Sequence, residues 1–265
     1  MGAPPGGTPL PRYDRDFLLS PARRNQLMAL WEVQQFGTDS FNDPDYVSIH
    51  GMPPEEWFGR GIRLLARTTV EATPDRLGDL LGRDAAQLLA GAPAAQTVVI
   101  DPFAGSCNGL WWMLRHLPGA EGLGFELDDG VFALTVRNLA LLGQPVTLVH
   151  GDVRKRLADY RYPEDAFLVV LVAPPWADAL DEVAGLDLAR TRPPVTDVVA
   201  LFEAQFPRNP KLYVTQTRRL MVPGPLADYR ARFAWSEVRI YPSGIHHAAI
   251  LGTTHWRPGA GLAGG

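Results

Sequence analysis

The stretch QTVVIDPFAGSCNGLWWMLRHL, residues 96–117, passes from a short apolar segment through a glycine-containing turn into a helical pattern. The apolar segment is rich in β-branched residues, which is typical of a buried strand. The turn from Asp101 to Gly109 places backbone N–H groups at the start of a helix, an arrangement that favours a carboxylate or a phosphate. The stretch therefore predicts a strand, a ligand-binding turn and a helix, in that order.

The chain on the carboxyl side of this stretch repeats the alternation. Unbroken apolar strands separated by helices are typical of a mostly parallel sheet with helices on both faces. We therefore predict an α/β, Rossmann-like fold. The predicted strands are GLGFEL, PVTLVHGD, AFLVVLVAPPW, KLYVTQT and a closing pair, FAWSEVRIY and HHAAILGTTHW; the predicted helices are DGVFALTVRNLALLG and PPVTDVVALFEAQF.

The amino-terminal part has a different pattern. Residues 1–12 are rich in proline and glycine and are expected to be disordered. Ser20-Pro21 has the pattern of a helix start and predicts a helix to about Phe36. A second helix is expected over residues 53–67, weakened by its two glycines.

Thr73-Pro74 repeats the helix-start pattern and begins TPDRLGDLLGRDAAQLLAG, whose leucines recur at helical spacing. We place the boundary between the two parts just before it. The predicted organisation is a tail and helical lid over residues 1–72, followed by a ligand-binding domain over residues 73–265.

Composition narrows the classes of protein. The 265 residues are 46% hydrophobic and 20% charged, which predicts a soluble globular protein, and no apolar run reaches membrane-spanning length. We expect no signal peptide, because the first residues lack an apolar segment. The single cysteine fits a reducing cytoplasm. The net charge of −4 disfavours a nucleic-acid partner without excluding one, and favours a small-molecule substrate.

Acidic side chains end three successive strands. Asp101 ends the first, Glu126 follows about twenty residues after the glycine turn, and Asp152 follows the third strand. An acid at the second of these positions suits the hydroxyls of a ribose, and ligands of such sheets bind at the carboxyl ends of the strands. The pattern predicts a pocket for a nucleoside-carrying cofactor. The turn lacks the G-x-G-x-x-G pattern of dinucleotide enzymes, which argues against a dehydrogenase.

The motifs DPFAGSCNG, GFELDD, LVHGDV and APPW resemble those of class I S-adenosylmethionine-dependent methyltransferases. Together with TPDRLGDLL, their order and spacing are similar to the RNA cap guanine-N2 methyltransferase (trimethylguanosine synthase) family over about residues 73–176. The resemblance implies a seven-stranded sheet whose last strand is antiparallel. It also implies S-adenosylmethionine as the cofactor, direct displacement of its methyl group, and no metal.

The resemblance also implies roles for individual residues. The turn would meet the methionine part of the cofactor, the acid after the second strand its ribose, and the third strand end its adenine. Pro174, Pro175 and Trp176 would face the reacting substrate, with the tryptophan ring as a platform. The implied cofactor-binding residues are Asp101, Phe103, Ala104, Gly105, Asn108, Glu126, Asp152, Val153 and Ala173.

Ala173 departs from the family pattern. The family usually has serine there, and related enzymes have aspartate or asparagine, whose side chain accepts a hydrogen bond from the amine being methylated. Alanine cannot, although the Ala173 and Pro174 carbonyls still can. Three functions therefore remain open: methylation of nitrogen in a planar small molecule, which we favour, methylation of RNA guanine, and cofactor binding without catalysis.

Further substrate contacts are expected from the lid and from the end of the chain. The lid is rich in aromatic residues, of which Trp57 is a candidate to close over the substrate beside Trp176. His246 and His247 open the last predicted strand, where one of them must point to one face of the sheet. Both histidines are candidates for a substrate contact, with a purely structural histidine as the favoured interpretation.

Overall fold

The apolar strands predicted from the sequence form one sheet. The computed structural model describes residues 12–90, 92, 96–144, 146–176, 179–242 and 247–259. The strands are β1 (Thr97–Asp101), β2 (Glu121–Glu126), β3 (Thr147–His150), β4 (Phe167–Val172), β7 (Lys211–Arg218), β8 (Trp235–Ile240) and β9 (His247–Thr254). A separate two-stranded ribbon consists of β5 (Leu180–Asp181) and β6 (Gly185–Leu186).

The helices alternate with these strands. The α/β part contains α5 (Asp75–Leu89), α6 (Asn108–His116), α7 (Asp129–Leu142), α8 (Val153–Arg156), α9 (Val195–Gln205) and α10 (Pro223–Arg230), and a 3₁₀ turn, Leu157–Asp159, follows α8. The amino-terminal part contains α1 (Arg15–Leu19), α2 (Leu30–Phe41), α3 (Pro54–Gly59) and α4 (Ala66–Glu71).

Within the described residues, seven strands form the main sheet in the order β3-β2-β1-β4-β7-β9-β8. The first five are parallel to one another, and β9 runs antiparallel to both β7 and β8. The predicted fold class, with an antiparallel last strand, is therefore confirmed. From β1 the chain first moves outward to β3 and then returns to β4 on the other side, so the strand order changes direction between β1 and β4.

Helices cover both faces because the strands are apolar on both. Val99 and Val169 pack on one face with α5 and α6. Val98 and Val170 pack on the other face with α9 and the end of α10. None of the helices in the described part of the chain combines the length and the apolar character needed to cross a membrane.

The first predicted helix, residues 20–36, is wrong over its first half. Ser20 ends α1 by donating its hydroxyl to the Phe17 carbonyl oxygen at 2.7 Å. Residues 20–29 then form turns and an isolated β-bridge between Leu27 and Leu65. Helix α2 begins only at Leu30. The long-range bridge replaces the helical hydrogen bonds that local sequence alone would favour.

The second predicted helix, residues 53–67, is interrupted at its glycines. Helix α3 ends at Gly59, and Gly61 adopts a left-handed conformation with φ of 88°. The chain then extends to reach the bridge at Leu65 before α4 begins. The division of the chain near residue 72 stays a prediction, although the side chains of residues 18–66 do form a core cluster of their own.

We expect Gly82→Ala to destabilise the protein. A Cβ atom there would lie 2.6 Å from His116 Cδ2 and 2.8 Å from the Trp112 carbonyl oxygen, where α5 and α6 are in contact. Such overpacking costs about 1–3 kcal/mol, more than the roughly 1 kcal/mol that alanine gains in helix propensity. Urea unfolding measures the difference. Gly59→Ala is the control, since a Cβ there has nothing within 4 Å, and equal stability changes in the two variants would contradict the prediction.

Candidate functional site

A cleft opens at the carboxyl edge of the sheet, where the strand order changes direction. Ligands of doubly wound sheets bind at this position. The cleft has a volume of about 1110 Å³, whereas ligand pockets commonly range from about 300 to 1,000 Å³. It therefore has room for a cofactor and a second molecule, and residues of both parts of the chain line it.

The glycine turn after β1 reaches the cleft only with its first residues, Pro102 and Phe103. Neither Ala104 nor Gly105 belongs to the cleft wall as far as the structure describes it. Gly105 has a left-handed backbone with φ of 50°, its N–H donates to Glu126 at 3.0 Å, and its carbonyl oxygen accepts from Thr135 at 2.7 Å. The turn is thus held by the protein itself.

Asp101, which is predicted to bind the cofactor, is buried where β1 passes into the glycine turn. Asp101 is 3% exposed, and its Oδ1 accepts a hydrogen bond from the Phe103 N–H at 3.0 Å. Burial raises the pKa of Asp101 to about 7, and the nearby charge of Glu126 adds to the effect. A contact between Asp101 and the methionine part of the cofactor stays a prediction.

Asn108, predicted to bind the cofactor, is not among the described residues that line the cleft. Its side chain is buried, and its polar atoms are already bonded. Oδ1 accepts from the His50 N–H at 2.7 Å, while Nδ2 donates to the Thr73 carbonyl oxygen at 2.7 Å and to Asp75 Oδ1 at 3.0 Å. Asn108 instead joins the amino-terminal part to the start of α6.

Glu126, at the end of β2, lines the cleft as the sequence predicts. Its carboxylate accepts from the Gly105 N–H at 3.0 Å and from the Asp128 N–H at 2.8 Å. Burial raises its pKa. A carboxylate has about four lone-pair positions, so these two hydrogen bonds fix its orientation and leave acceptor capacity for a ligand.

Asp152 and Val153 line the same wall, after β3. Asp152 caps α8, and its carboxylate accepts two hydrogen bonds at 3.0 Å from Arg154 Nε and a third at 2.6 Å from the terminal guanidinium nitrogen. These bonds lower the pKa of Asp152. Leu127, which was not predicted from the sequence, also lines this wall and is 66% exposed. Its apolar side chain directly after Glu126 is the feature of the sequence that could have indicated a ligand contact.

The APPW segment follows β4 and forms the opposite wall. Ala173, Pro174, Pro175 and Trp176 all line the cleft. Trp176 is half-buried and packs against the core on the α9 side of the sheet. The guanidinium carbon of Arg218 lies 5.9 Å from the centre of a Trp176 ring. The ring is therefore both part of the packing and available at the cleft surface.

Side chains of β7 and β9 complete this end of the cleft. Gln216, Arg218 and His247 line it, and Arg218 and His247 are direct cross-strand partners. The Gln216 Oε1 accepts from the Thr73 hydroxyl at 2.9 Å, and His247 Nε2 lies 3.5 Å from the Tyr46 hydroxyl. The structure thus brings His247 to the cleft, whereas His246 lies outside the described residues.

Trp57, predicted to contact the substrate, is not among the residues that line the described part of the cleft. Its side chain is 0% exposed, and its Nε1 donates to the Val47 carbonyl oxygen at 3.0 Å within the core of the amino-terminal part. Other aromatic residues of that part reach the cleft instead, namely Phe36, Phe41 and Tyr46. The rings of Phe41 and Tyr46 stack with centres 3.4 Å apart. Composition alone did not show which lid aromatics face inward.

Charged residues of the amino-terminal part also line the cleft. Arg67 lines the cleft and forms an ion pair with Asp128. Arg15, Arg24 and Glu71 line it as well. Arg67 and Glu71 are four residues apart in α4, which places both on one helix face. The described residues contain no group of three or more His, Cys, Asp or Glu side chains placed to hold a metal ion.

Comparison with known proteins identifies the fold. No protein-family model matches the sequence, and no curated protein matches it. Among solved structures, the METTL16 methyltransferase domain has a TM-score of 0.51 at 15% identity, covering 86% of this chain and 81% of that chain. Human methyltransferase 10 domain containing protein has a TM-score of 0.47 at 16% identity, covering 71% of this chain and 85% of that chain.

A further match, M. capricolum TrmK in complex with S-adenosyl-homocysteine, has a TM-score of 0.40 at 5% identity and covers 66% of this chain and 69% of that chain. Identities this low carry information on the fold alone. The chain therefore has the fold of class I methyltransferases, with METTL16 as the relevant likeness.

Asp101→Asn tests the burial of the Asp101 carboxyl. The folded-state pKa of about 7 exceeds the unfolded value of about 3.9. The folded protein therefore holds this proton more tightly, and the wild type loses stability as the pH rises from about 4 to 7. Asparagine keeps an acceptor for the Phe103 N–H and does not titrate.

We therefore expect Asp101→Asn to be more stable than the wild type at pH 8, by up to several kcal/mol. The difference should shrink toward zero near pH 4. Urea unfolding across this pH range measures it, with the exposed Asp129→Asn as control. A stability difference that stays constant with pH would contradict the buried carboxyl as its cause.

Proposed function

We propose that the chain is an S-adenosylmethionine-dependent methyltransferase. The observation that carries this proposal is that Glu126 and the APPW segment line opposite walls of one cleft, at the switch point of a methyltransferase fold. Such a sheet binds its ligands at this position. The test is to incubate the protein with S-adenosylmethionine and to measure by mass spectrometry whether S-adenosyl-homocysteine forms. Binding of S-adenosylmethionine without this product would indicate a cofactor-binding protein that has no catalytic activity.

The residues present fit this cofactor. The oriented carboxylate of Glu126 can accept hydrogen bonds from the two ribose hydroxyls. Leu127 and Val153 offer apolar surface to the adenine ring on the same wall. Asp152 can still accept from the adenine amino group, in competition with Arg154. Phe103 follows β1, which lies between β2 and β4 in the sheet.

When bound, the cofactor supplies an electrophilic methyl group on a positively charged sulfur. The protein's part is to hold the acceptor in line with that methyl group and to exclude water. Such positioning of two reactants contributes on the order of 7–11 kcal/mol to lowering a barrier. The ring of Trp176 and the stiff Pro174-Pro175 backbone would fix the position of a planar acceptor relative to the cleft wall.

We further propose that the acceptor is a nitrogen of a planar small molecule. Trp176 offers a flat face, and the backbone carbonyls at Ala173 and Pro174 remain the acceptors for an amine. An aromatic amine needs no strong base before it attacks, because its proton can leave afterward. An oxygen acceptor would need a base. His247 lines the cleft and could serve as one. Tyr241 could not, because it lies in the core and donates its hydroxyl to Asp84.

An RNA guanine is the second candidate acceptor. The resemblance to the trimethylguanosine synthase family favours it, and so do the arginines of the cleft, which include Arg12, Arg192 and Arg218. Acidic side chains such as Asp14, Glu182 and Asp197 line the same cleft and oppose it. RNA binding should weaken steeply with salt, whereas binding of a small planar acceptor should not.

We expect Glu126→Ala to weaken binding of S-adenosylmethionine by about ten- to a hundredfold. Hydrogen bonds to a charged acceptor each contribute roughly 1.5–3 kcal/mol, and the variant also loses the bond that holds the Gly105 N–H. Isothermal titration calorimetry measures the affinity. Glu121→Ala, at the exposed opposite end of the same strand, is the control. Unchanged affinity in Glu126→Ala would refute the assignment of the cofactor site.

Trp176→Ala should lower kcat/KM by about ten- to a hundredfold once an acceptor is found, because stacking on an aromatic side chain contributes roughly 1–3 kcal/mol. Cofactor affinity should change little, and Trp176→Phe should recover much of the loss. Trp31→Ala removes an exposed tryptophan of the amino-terminal part and is the control. If Trp176→Ala unfolds the protein with kinetics otherwise unaltered, the ring serves the core only.

A further inference from the structure

The glycine turn has few N–H groups left for an anionic ligand. The Phe103 N–H donates to Asp101, the Ala104 N–H to the Phe125 carbonyl oxygen at 2.9 Å, and the Gly105 N–H to Glu126. The Cys107 N–H donates to the Ala104 carbonyl oxygen at 2.6 Å. The sequence predicted that this turn would favour a carboxylate or a phosphate, but these N–H groups are already bonded within the protein. Other positively charged groups of the cleft are therefore candidates for the partner of a ligand carboxylate.

Four charged residues of the amino-terminal part meet in the cleft, and we call them the α4 charge cluster: Arg15, Arg24, Arg67 and Glu71. Arg67 and Glu71 stand four residues apart on α4 and so share one helix face. The Arg67 N–H donates to the Arg24 carbonyl oxygen at 3.1 Å, which brings the Arg24 turn against the start of α4. Helix α1, which carries Arg15, packs on α4.

The α4 charge cluster contains three cations and one anion, and Glu71 lies close enough to Glu126, the predicted ribose acid, to feel its charge. The charges of Arg67, Arg24 and Arg15 all favour the ionised form of Glu71, while burial within the cleft raises its pKa. The charge of Glu126 also acts on Glu71. Arg67 in turn pairs with Asp128, two residues after Glu126, and its buried Nε has no hydrogen-bond partner among the described residues.

An amino acid zwitterion matches this arrangement. It presents a carboxylate and an ammonium group on one carbon, and therefore needs a cation and an anion side by side. The methionine end of S-adenosylmethionine is such a zwitterion, and in an extended cofactor it lies just beyond the ribose. The α4 charge cluster offers guanidinium groups and one carboxylate in the same cleft as Glu126.

We propose that the α4 charge cluster binds the amino acid end of the cofactor, with Arg24 and Arg67 receiving its carboxylate and Glu71 its ammonium group. This rests on the proposed function. The amino-terminal part then belongs to the cofactor site itself, in addition to covering the acceptor. Cofactor binding and the docking of the amino-terminal part are coupled through the Arg67–Asp128 ion pair.

The test compares two ligands that differ in the amino acid end. S-adenosyl-homocysteine carries the zwitterion, whereas 5′-methylthioadenosine keeps the adenosine and the thioether without it. In the full-length protein we expect Arg24→Ala and Glu71→Gln each to weaken S-adenosyl-homocysteine about tenfold or more. Affinity for 5′-methylthioadenosine should stay within about twofold. Isothermal titration calorimetry at one salt concentration measures both.

The matched controls are Arg60→Ala and Glu56→Gln, which remove the same two charge types from an exposed ion pair on α3. They should leave both affinities unchanged. Equal weakening of both ligands by Arg24→Ala or Glu71→Gln would overturn the proposal, because the change would then act on the fold or on the nucleoside wall. Unchanged S-adenosyl-homocysteine affinity with a raised KM for the acceptor would assign the cluster to the acceptor instead.

A wild-type protein that binds neither ligand would refute the proposed function, and the inference with it. A wild-type protein that binds both ligands, with the variants failing to separate them, would refute the inference alone. The two failures are therefore distinguishable within one set of titrations.

Discussion

The buried carboxamide of Asn108 holds together the parts of the chain that form the cleft. From the first residue of α6 it bonds to the backbone of His50, to the backbone of Thr73 and to the side chain of Asp75. These partners lie in the amino-terminal part and at the start of α5. Because a buried amide without partners is costly, this set of hydrogen bonds fixes how the amino-terminal part sits over the carboxyl edge of the sheet.

That placement decides what the cleft contains. Helix α4 contributes Arg67 and Glu71 to the cleft. Arg67 forms an ion pair with Asp128, and Glu71 lines the same cleft as Glu126. Tyr46 reaches His247 on the last strand, and Thr73 reaches Gln216 on β7. Residues that precede the α/β fold therefore line part of the cleft. The amino-terminal part thus adds charged surface, namely Arg15, Arg24, Arg67 and Glu71, to a cleft that the sheet alone would leave more open on this side.

Sequence alone determined the α/β fold and two walls of the cleft. Long apolar strands separated by helices can be buried only in a covered parallel sheet, and acids or prolines directly after such strands must lie at its carboxyl edge. In agreement with this expectation, the cleft at the carboxyl edge of the sheet is lined by Glu126, Asp152 and the APPW segment. These are short-range inferences, in which the residue that ends a strand also occupies the site.

Tertiary structure decided the rest. The pairing of Leu27 with Leu65 broke both predicted amino-terminal helices, and the interior of that part took Trp57 away from the cleft. The N–H groups of the glycine turn donate to acceptors within the protein, such as Asp101 and Glu126. The Asn108 side chain bonds to His50, Thr73 and Asp75 and does not line the cleft. Each of these outcomes depends on partners far apart in sequence. Local pattern shows which groups a segment offers, but only the packed chain shows which of them are already bonded and which still face a ligand.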